Sequence, residues 1–540
     1  MRYIGCLLFV STLLHFHAHS NELKGCNGIG RNWWNALHYQ LNVDINVQKQ
    51  FIKGEVKIQY AVISKDGYNI MQLDLQTPMQ IDRIKNQNGE ELSFKRDGRD
   101  ANVTWIFHPI NSAVLGDTNI ITVYFSGVPN VAANPPWDGG FIWKKDQNQK
   151  PWVSVACQGK GASAWWPCKD LQSDEPELGV LVSFTSDSKL PIISNGVFTN
   201  KGDANNIFQY KVHVPINLYN VTFYLGDYIA IYDTFNGENG VLNIEAWCLK
   251  GNELKMKEKM IEVKKMLVAF EYWFGPYPFY KDGYKIVEAP FLGMEHQSAI
   301  AYGNQYLNGY LGKDRSNTGI GLDFDFIIVH ESGHEWFGNH ITAHDIADNW
   351  IHEGFTTYSE ALFVEYYYGK KAAYEYTMGE WRNIKNDKPI IAPYCRYASG
   401  STDQYDKGSA LVHSIRLLID DDEKFRSLLR HINRKYGLKT VSSNEIEQEI
   451  IAFTELELQP IFNQYLRTNL IPTLDAKIID NAVQVKFEGV VNGFKLPISW
   501  EIDGIAQTFN VSEKTIVVPL QKNGQLPILQ KAFYIKVNQY

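Results

Sequence analysis

One short motif constrains this 540-residue chain more than any other feature: His330-Glu331-Ser332-Gly333-His334, followed after eighteen residues by Glu353 in Trp350-Ile351-His352-Glu353-Gly354-Phe355. On a helix, an H-E-x-x-H pattern sets its histidines at i and i+4, so both imidazoles leave one face. Zinc takes neutral imidazole nitrogens and carboxylate oxygens in a roughly tetrahedral shell, and a catalytic site keeps one position open. The run Phe324 to Val329 is apolar apart from Asp325 and lacks Gly and Pro, which predicts a buried helix that holds His330 and His334 rigidly. The chain then passes Gly338 and a mostly polar stretch, 339–349, before a helical pattern resumes at Trp350. Glu353 therefore belongs to a second helix that lies across the first and supplies the third ligand. Glu331 cannot point the same way as both histidines, and it is placed as the general base for a water rather than as a ligand.

With 44% hydrophobic residues, the chain can bury several cores, and its length suggests about three domains. The net charge of −8 is interspersed, which leaves no electrostatic footprint for nucleic acid. Residues 1–20 resemble a secretory leader: Arg2 gives a positive start, 4–16 is mostly apolar, and Ala18-His19-Ser20 has small residues at both cleavage-site positions. That run is too short to span a bilayer and no later segment is long enough, so the expectation is an exported protein, periplasmic or secreted, without a transmembrane segment. Leu23-Lys24-Gly25-Cys26 faintly resembles a lipoprotein cleavage box, which makes anchoring through Cys26 the alternative. Without Cys6 the mature chain keeps Cys26, Cys157, Cys168, Cys248 and Cys395, an odd and thinly spread set rather than a disulfide framework. Cys157 and Cys168 are the candidate pair in an oxidising compartment.

Hydrophobic periodicity divides the chain. From Tyr39 to about Ala246, Leu41, Val43, Ile45 and Val47 alternate with polar residues, and Val56, Ile58, Tyr60 and Val180, Val182, Phe184 repeat the period of two. Asn88-Gly89, Asp97-Gly98 and Asn239-Gly240 punctuate these strands as turns. From Asn252 the period becomes helical, with Leu254, Met256, Met260, Ile261, Val263, Met266 and Leu267 among charged residues; the methionines read as core packing. Alternation returns after Pro472 with Val483, Val485 and Phe487. The expected organisation is multidomain α+β: a leader at 1–20, an N-terminal β domain at 21–248, a mainly helical zinc domain at 249–470 and a small C-terminal β domain at 471–540.

Three further stretches join the zinc motif: Leu292-Gly293-Met294-Glu295-His296, the longer run His330 to Asn339, and Tyr405-Asp406-Lys407-Gly408. Together they resemble the zinc aminopeptidases of the aminopeptidase N family, which includes the leukotriene-A hydrolases, over about residues 39–472. The resemblance implies a thermolysin-like catalytic domain with one zinc held by His330, His334 and Glu353, and Glu331 as general base. It implies that Glu295 binds the free α-amino group of a peptide substrate, with Gln158 as a second amine-binding position. It places Gly293, Met294 and His296 at the substrate backbone, and Tyr405 as donor to the oxyanion of the tetrahedral intermediate. Two departures stand out: Leu292 and His296 occupy positions where the family usually has glycine and asparagine, and the chain ends after the small β domain, so a more open site is expected. The alternatives are a zinc endopeptidase, which needs no carboxylate for a free amine, and a catalytically silent peptide-binding protein, which has no use for Glu331.

Overall fold

The computed structural model describes residues 23–201, 206–480, 482–522, 524–530 and 533–539; the leader expected at 1–20 lies outside the described residues. The N-terminal region is built on a seven-stranded sheet whose central strand, Trp34–Asn46, pairs antiparallel with Phe51–Val62 and parallel with Val180–Ser186. Leu41, Val43 and Ile45 turn inward, as their alternation with polar residues requires. Aromatic pairs help fill the core: Trp34 meets Tyr60 edge-on at 5.6 Å, and Trp165 meets Trp166 at 6.2 Å.

A five-stranded sheet follows. The hairpin Tyr228–Gly237 and Gly240–Leu249 continues, through parallel pairing of its second strand, into Tyr284–Glu288, then Ile300–Tyr302 and the edge strand Gly293–Met294. This sheet runs across residues 248 and 249, so the hairpin shares its ladder with the strand that delivers Glu295. Sequence alternation marks a strand but carries no information about which sheet it joins.

The sheet packs on helices. α1 (Glu253–Phe274) buries Met256, Met260, Val263, Met266, Leu267 and Phe270, whereas Leu254 and Ile261, which the sequence placed in the same helical period, are exposed. α2 (Phe326–Gly333) carries the zinc motif, and Asp325, the polar exception before it, is its N-cap, accepting from Ile328 N at 3.5 Å. Asp325 also accepts from Tyr302 and Asn304, each at 2.7 Å, and pairs with Lys259 at 2.9 Å, so its buried charge is fully matched. α3 (Trp350–Tyr368) carries Glu353, α4 (Lys370–Glu380) folds back on it, and α5 (Asp406–Ile419) begins directly after Tyr405. α6 (Asp422–Tyr436), α7 (Ser443–Thr454) and α8 (Gln459–Arg467) complete the helical layer. Beyond it, strands between Thr473 and Gln539 form two small sheets whose inner residues, among them Leu474, Val485, Phe487 and Trp500, continue the helical core.

α3 and α5 cross backbone to backbone. A Cβ on Gly408 would stand 2.8 Å from the Gly354 Cα, and one on Gly354 would stand 3.0 Å from the Gly408 Cα. These are the glycines of His352-Glu353-Gly354 and Lys407-Gly408, and their contact brings Tyr405 beside Glu353. Alanine gains about 1 kcal/mol of helix propensity over glycine, but overpacking a rigid contact costs about 1–3 kcal/mol. Gly408→Ala should therefore lower the unfolding temperature measured by calorimetry; an unchanged or raised value would show that the helices can part freely.

Candidate active site

His330 and His334 leave α2 on one face, their ring centroids 5.0 Å apart. Each has its Nδ1 facing an acceptor: Glu360 Oε1 at 2.7 Å for His330, and the Phe337 carbonyl at 3.0 Å for His334. Those bonds put the protons on Nδ1 and leave the Nε2 lone pairs directed at Glu353. Glu353 Oε2 lies 3.8 Å from His330 Nε2 and 3.3 Å from His334 Nε2, and it has no hydrogen-bond partner although it is buried. Two lone pairs and a carboxylate oxygen thus converge within 4.8 Å with no donor between them. Such a set suits a cation, and its two nitrogens and one oxygen match zinc. Burial holds the His330 imidazole well below its usual pKa, in the neutral form a metal requires. Burial also works against a charge on His334, yet Glu353, followed by Glu295 and Glu331, raises it to about 10. The pocket favours positive charge at this point.

Around this set lies a cavity of about 830 Å³ lined by Gln158, Gly293, Glu295, Glu331, Tyr405, His330, His334 and Glu353, and also by Trp137, Phe326 and Tyr397. Glu331 stands beside the ligands rather than among them. Gly293 explains how it fits: a Cβ there would meet Glu331 Oε1 at 2.6 Å and Ile327 at 2.9 Å, so only glycine lets the edge strand lie against the motif helix. Burial pushes the Glu331 carboxyl well above the usual range.

Glu295 follows the edge strand and is almost fully buried. Its Oε1 accepts from Gln158 Nε2 at 3.0 Å and from the Tyr219 hydroxyl at 3.1 Å, while the same Gln158 amide reaches Glu353 Oε1 at 3.2 Å. Burial raises the Glu295 carboxyl, with His334 offsetting part of that rise and Glu353 adding to it. Glu295, Glu331 and His334 form a second group of donor atoms within 4.8 Å. Tyr405 stacks near His330 at 6.1 Å; burial, followed by the Glu353 and Glu295 carboxylates, raises its phenol well above the ordinary value, so it stays protonated and able to donate.

The structure brings together His330, Glu331, His334, Glu353, Glu295, Gln158, Gly293 and Tyr405. It corrects the expectation for Met294 and His296, which do not line the cavity. Met294 alternates inward from the edge strand into the core, and His296 is fully buried, with Nδ1 2.7 Å from the Tyr224 hydroxyl and 5.9 Å between the rings. Burial pushes His296 down to about 3, leaving it neutral. The cysteine expectation is also corrected: Cys157 and Cys168 are free and buried, whereas Cys26 is bonded to Cys395. Two site residues escaped the sequence reading. Glu360 sits seven residues after Glu353 on α3, hence on the same helical face, and that spacing was a usable signal. Tyr219 comes from a short turn in the β region, and no local pattern announces it.

Residues 257–465 match the family model described as the Peptidase family M1 domain. Among known proteins, the chain is 22% identical over 438 residues to Leucine aminopeptidase 2 of Saccharomyces cerevisiae, covering 77% of this chain and 61% of that protein. It is 23% identical over 321 residues to Leukotriene A-4 hydrolase of Xenopus laevis, covering 56% of this chain and 50% of that protein. The chain thus spans about three-fifths or less of these relatives. Among solved structures, an M1 zinc metallopeptidase from Deinococcus radiodurans superposes with a TM-score of 0.65 at 18% identity, covering 82% of this chain and 96% of that one. Leukotriene A4 hydrolase from Saccharomyces cerevisiae gives 0.64 at 19% identity, covering 81% and 68%. At these identities the likeness establishes the shared multidomain fold.

The donor geometry separates ligand from base. His334→Ala removes a lone pair and should purify folded but with little zinc, whereas Glu331→Gln should keep its zinc and lose turnover. Elemental analysis of both variants checks the assignment: equal zinc loss in the two would make Glu331 a ligand, and full zinc in His334→Ala would remove that histidine from the set.

Proposed function

We propose that this chain, which carries a peptidase family M1 domain over residues 257–465, is a zinc-dependent aminopeptidase that hydrolyses the N-terminal peptide bond of peptides. The observation that carries the reading is the buried carboxylate of Glu295, set beside the metal group and held by Gln158 and Tyr219. A peptidase that cuts anywhere has no need of an anion at that distance; one that measures from a free α-amino group does.

His330, His334 and Glu353 would hold the zinc, with Glu360 and the Phe337 carbonyl fixing the two imidazole tautomers. When bound, zinc supplies Lewis acidity, polarising a carbonyl and acidifying a water. Glu295 binds the substrate ammonium and so registers the first peptide bond over the motif helix. Glu331 takes the proton of the attacking water and returns it to the departing amine, a role that suits a carboxyl raised by burial. Tyr405 donates to the carbonyl oxygen as charge develops on it, an interaction that exists mainly in the transition state.

The leader-like residues 1–20 and a disulfide at Cys26 support export to an oxidising compartment, and pairing with Cys395 leaves Cys26 no thiol for a lipid. Among the described residues no helix is long and apolar enough to cross a membrane. N-terminal sequencing of mature protein should begin just after Ser20; a start at Met1 would remove the export reading.

Tyr405→Phe should lower kcat on the order of 10²-fold with little change in KM, measured on an aminoacyl amide. A change confined to KM would make Tyr405 a binding residue. Free-amine peptides should be cleaved and their N-acetylated counterparts left nearly intact, because an acetylated nitrogen offers Glu295 no cation. Glu295→Ala should weaken hydrolysis of the former and narrow that gap at unchanged zinc content. Comparable cleavage of blocked peptides at internal bonds by the wild type would replace this reading with an endopeptidase.

A further inference from the structure

The segment from Leu23 to Cys26 is remote from the zinc motif in sequence, yet it reaches the wall of the substrate cavity. The Lys24 ammonium lies 3.6 Å over the Tyr397 ring and 3.7 Å from Asp170, and donates to the Lys160 carbonyl. The backbone around it is held as well. Lys24 O and Cys26 O accept from Arg31 at 2.8 and 3.2 Å, Leu23 O accepts from Gln72 at 3.0 Å, and Cys26 is bonded to Cys395. Gly25 lies flat on the same loop: a Cβ there would stand 2.6–2.8 Å from backbone atoms of Cys395, Arg396 and Tyr397.

Tyr397 faces the other way onto the loop of Gln158. Its hydroxyl lies so close to Gly161 that a Cβ there would approach it to 2.5 Å. Tyr397, Gln158 and Gly159 line one cavity wall, and behind them a small recess is shared with Glu295 and Tyr219. Lys24 therefore touches both loops at once, through the Tyr397 ring on one side and Lys160 O on the other. The loop from Cys395 to Tyr397 also carries backbone strain, with φ of +60° at Cys395 and +46° at Tyr397. Non-glycine residues keep such values only where their surroundings over-determine them, and here the surroundings are the N-terminal segment.

We propose that Leu23 to Cys26 is a clasp that completes the amine subsite, with Lys24 as a positioning residue that, together with the Cys26–Cys395 bond, holds Tyr397 against the loop carrying Gln158. The inference rests on the aminopeptidase reading of that subsite. Cys395 is exposed, so a reductant has access to the bond. Breaking the clasp loosens the wall that registers the free amine and leaves the metal ligands, which sit on α2 and α3, untouched.

The test compares wild type, Lys24→Met, Lys24→Arg and the Cys26→Ser/Cys395→Ser double variant on a free-amine aminoacyl amide. Zinc content and nicking of residues 391–400 by a broad-specificity protease are measured alongside. Lys24→Met and the double variant should raise KM roughly tenfold, the worth of one well-placed interaction, with kcat within about twofold and zinc unchanged. Lys24→Arg, which keeps the cation over the ring, should restore most of the loss. Treating the wild type with tris(2-carboxyethyl)phosphine, a reductant that carries no zinc-chelating dithiol, should reproduce the rise in KM and increase the nicking, and reoxidation should reverse both. An unchanged KM in Lys24→Met and the double variant overturns the inference, as does a parallel loss of kcat and zinc, which would mean general unfolding. If the wild type hydrolyses no free-amine substrate, the aminopeptidase reading falls by itself. The clasp is then decided by the nicking: a rise on reduction upholds it, and none overturns it.

Discussion

The rest of the site depends on one electrostatic constraint: His330 Nε2, His334 Nε2 and Glu353 Oε2 face one another in a buried space with no donor among them. Three acceptors so placed repel unless a positive charge lies between them. The surroundings fix them there. Glu360 and the Phe337 carbonyl turn the imidazoles, the Asp325 cap fixes the start of α2, and the Gly354–Gly408 crossing seats α3 against α5. Metal affinity and local stability are consequently one quantity, because the ion offsets a repulsion that the fold itself imposes.

What could be read from the chain alone follows from the range of each interaction. Patterns confined to one helix were legible: the i, i+4 histidines, the inward face of α1, the two helices that meet at the motif. So were the strands, since alternation is local. Their assignment to sheets was not, which is why the hairpin 228–249 proves to share a ladder with Tyr284–Glu288. The glycines of Glu353-Gly354 and Lys407-Gly408 were visible as letters, but their meaning, a backbone contact between helices, needs the packed structure. His296 shows the same limit from the other side. Its neighbour Glu295 enters the cavity, and one step along an extended backbone turns His296 toward Tyr224. The Cys26–Cys395 pair, 369 residues apart, lies beyond any spacing argument, whereas Cys157 and Cys168, near in sequence, are both free.

The two groups of donor atoms in the cavity share His334 and differ in the charge they call for. His330, His334 and Glu353 suit a metal ion. Glu295 and Glu331 set two carboxyls side by side without a full counter-charge: burial raises both, and His334 offsets only part of that rise. The cations on the cavity wall do not solve this, since Arg315 is engaged by Asp406 at 3.2 Å and Lys385 stands beside Thr402 at 3.3 Å. On the aminopeptidase function proposed above, a peptide with a free N-terminus would bring a compensating charge in its ammonium group. On that proposal substrate selection would follow from charge balance as much as from shape: an internal segment of a chain would leave Glu295 without a cationic partner, whereas a true N-terminus would supply one. On the same proposal Glu331 would stay free to take up a proton, because the ammonium would be drawn to the carboxylate that Gln158 and Tyr219 already hold in place.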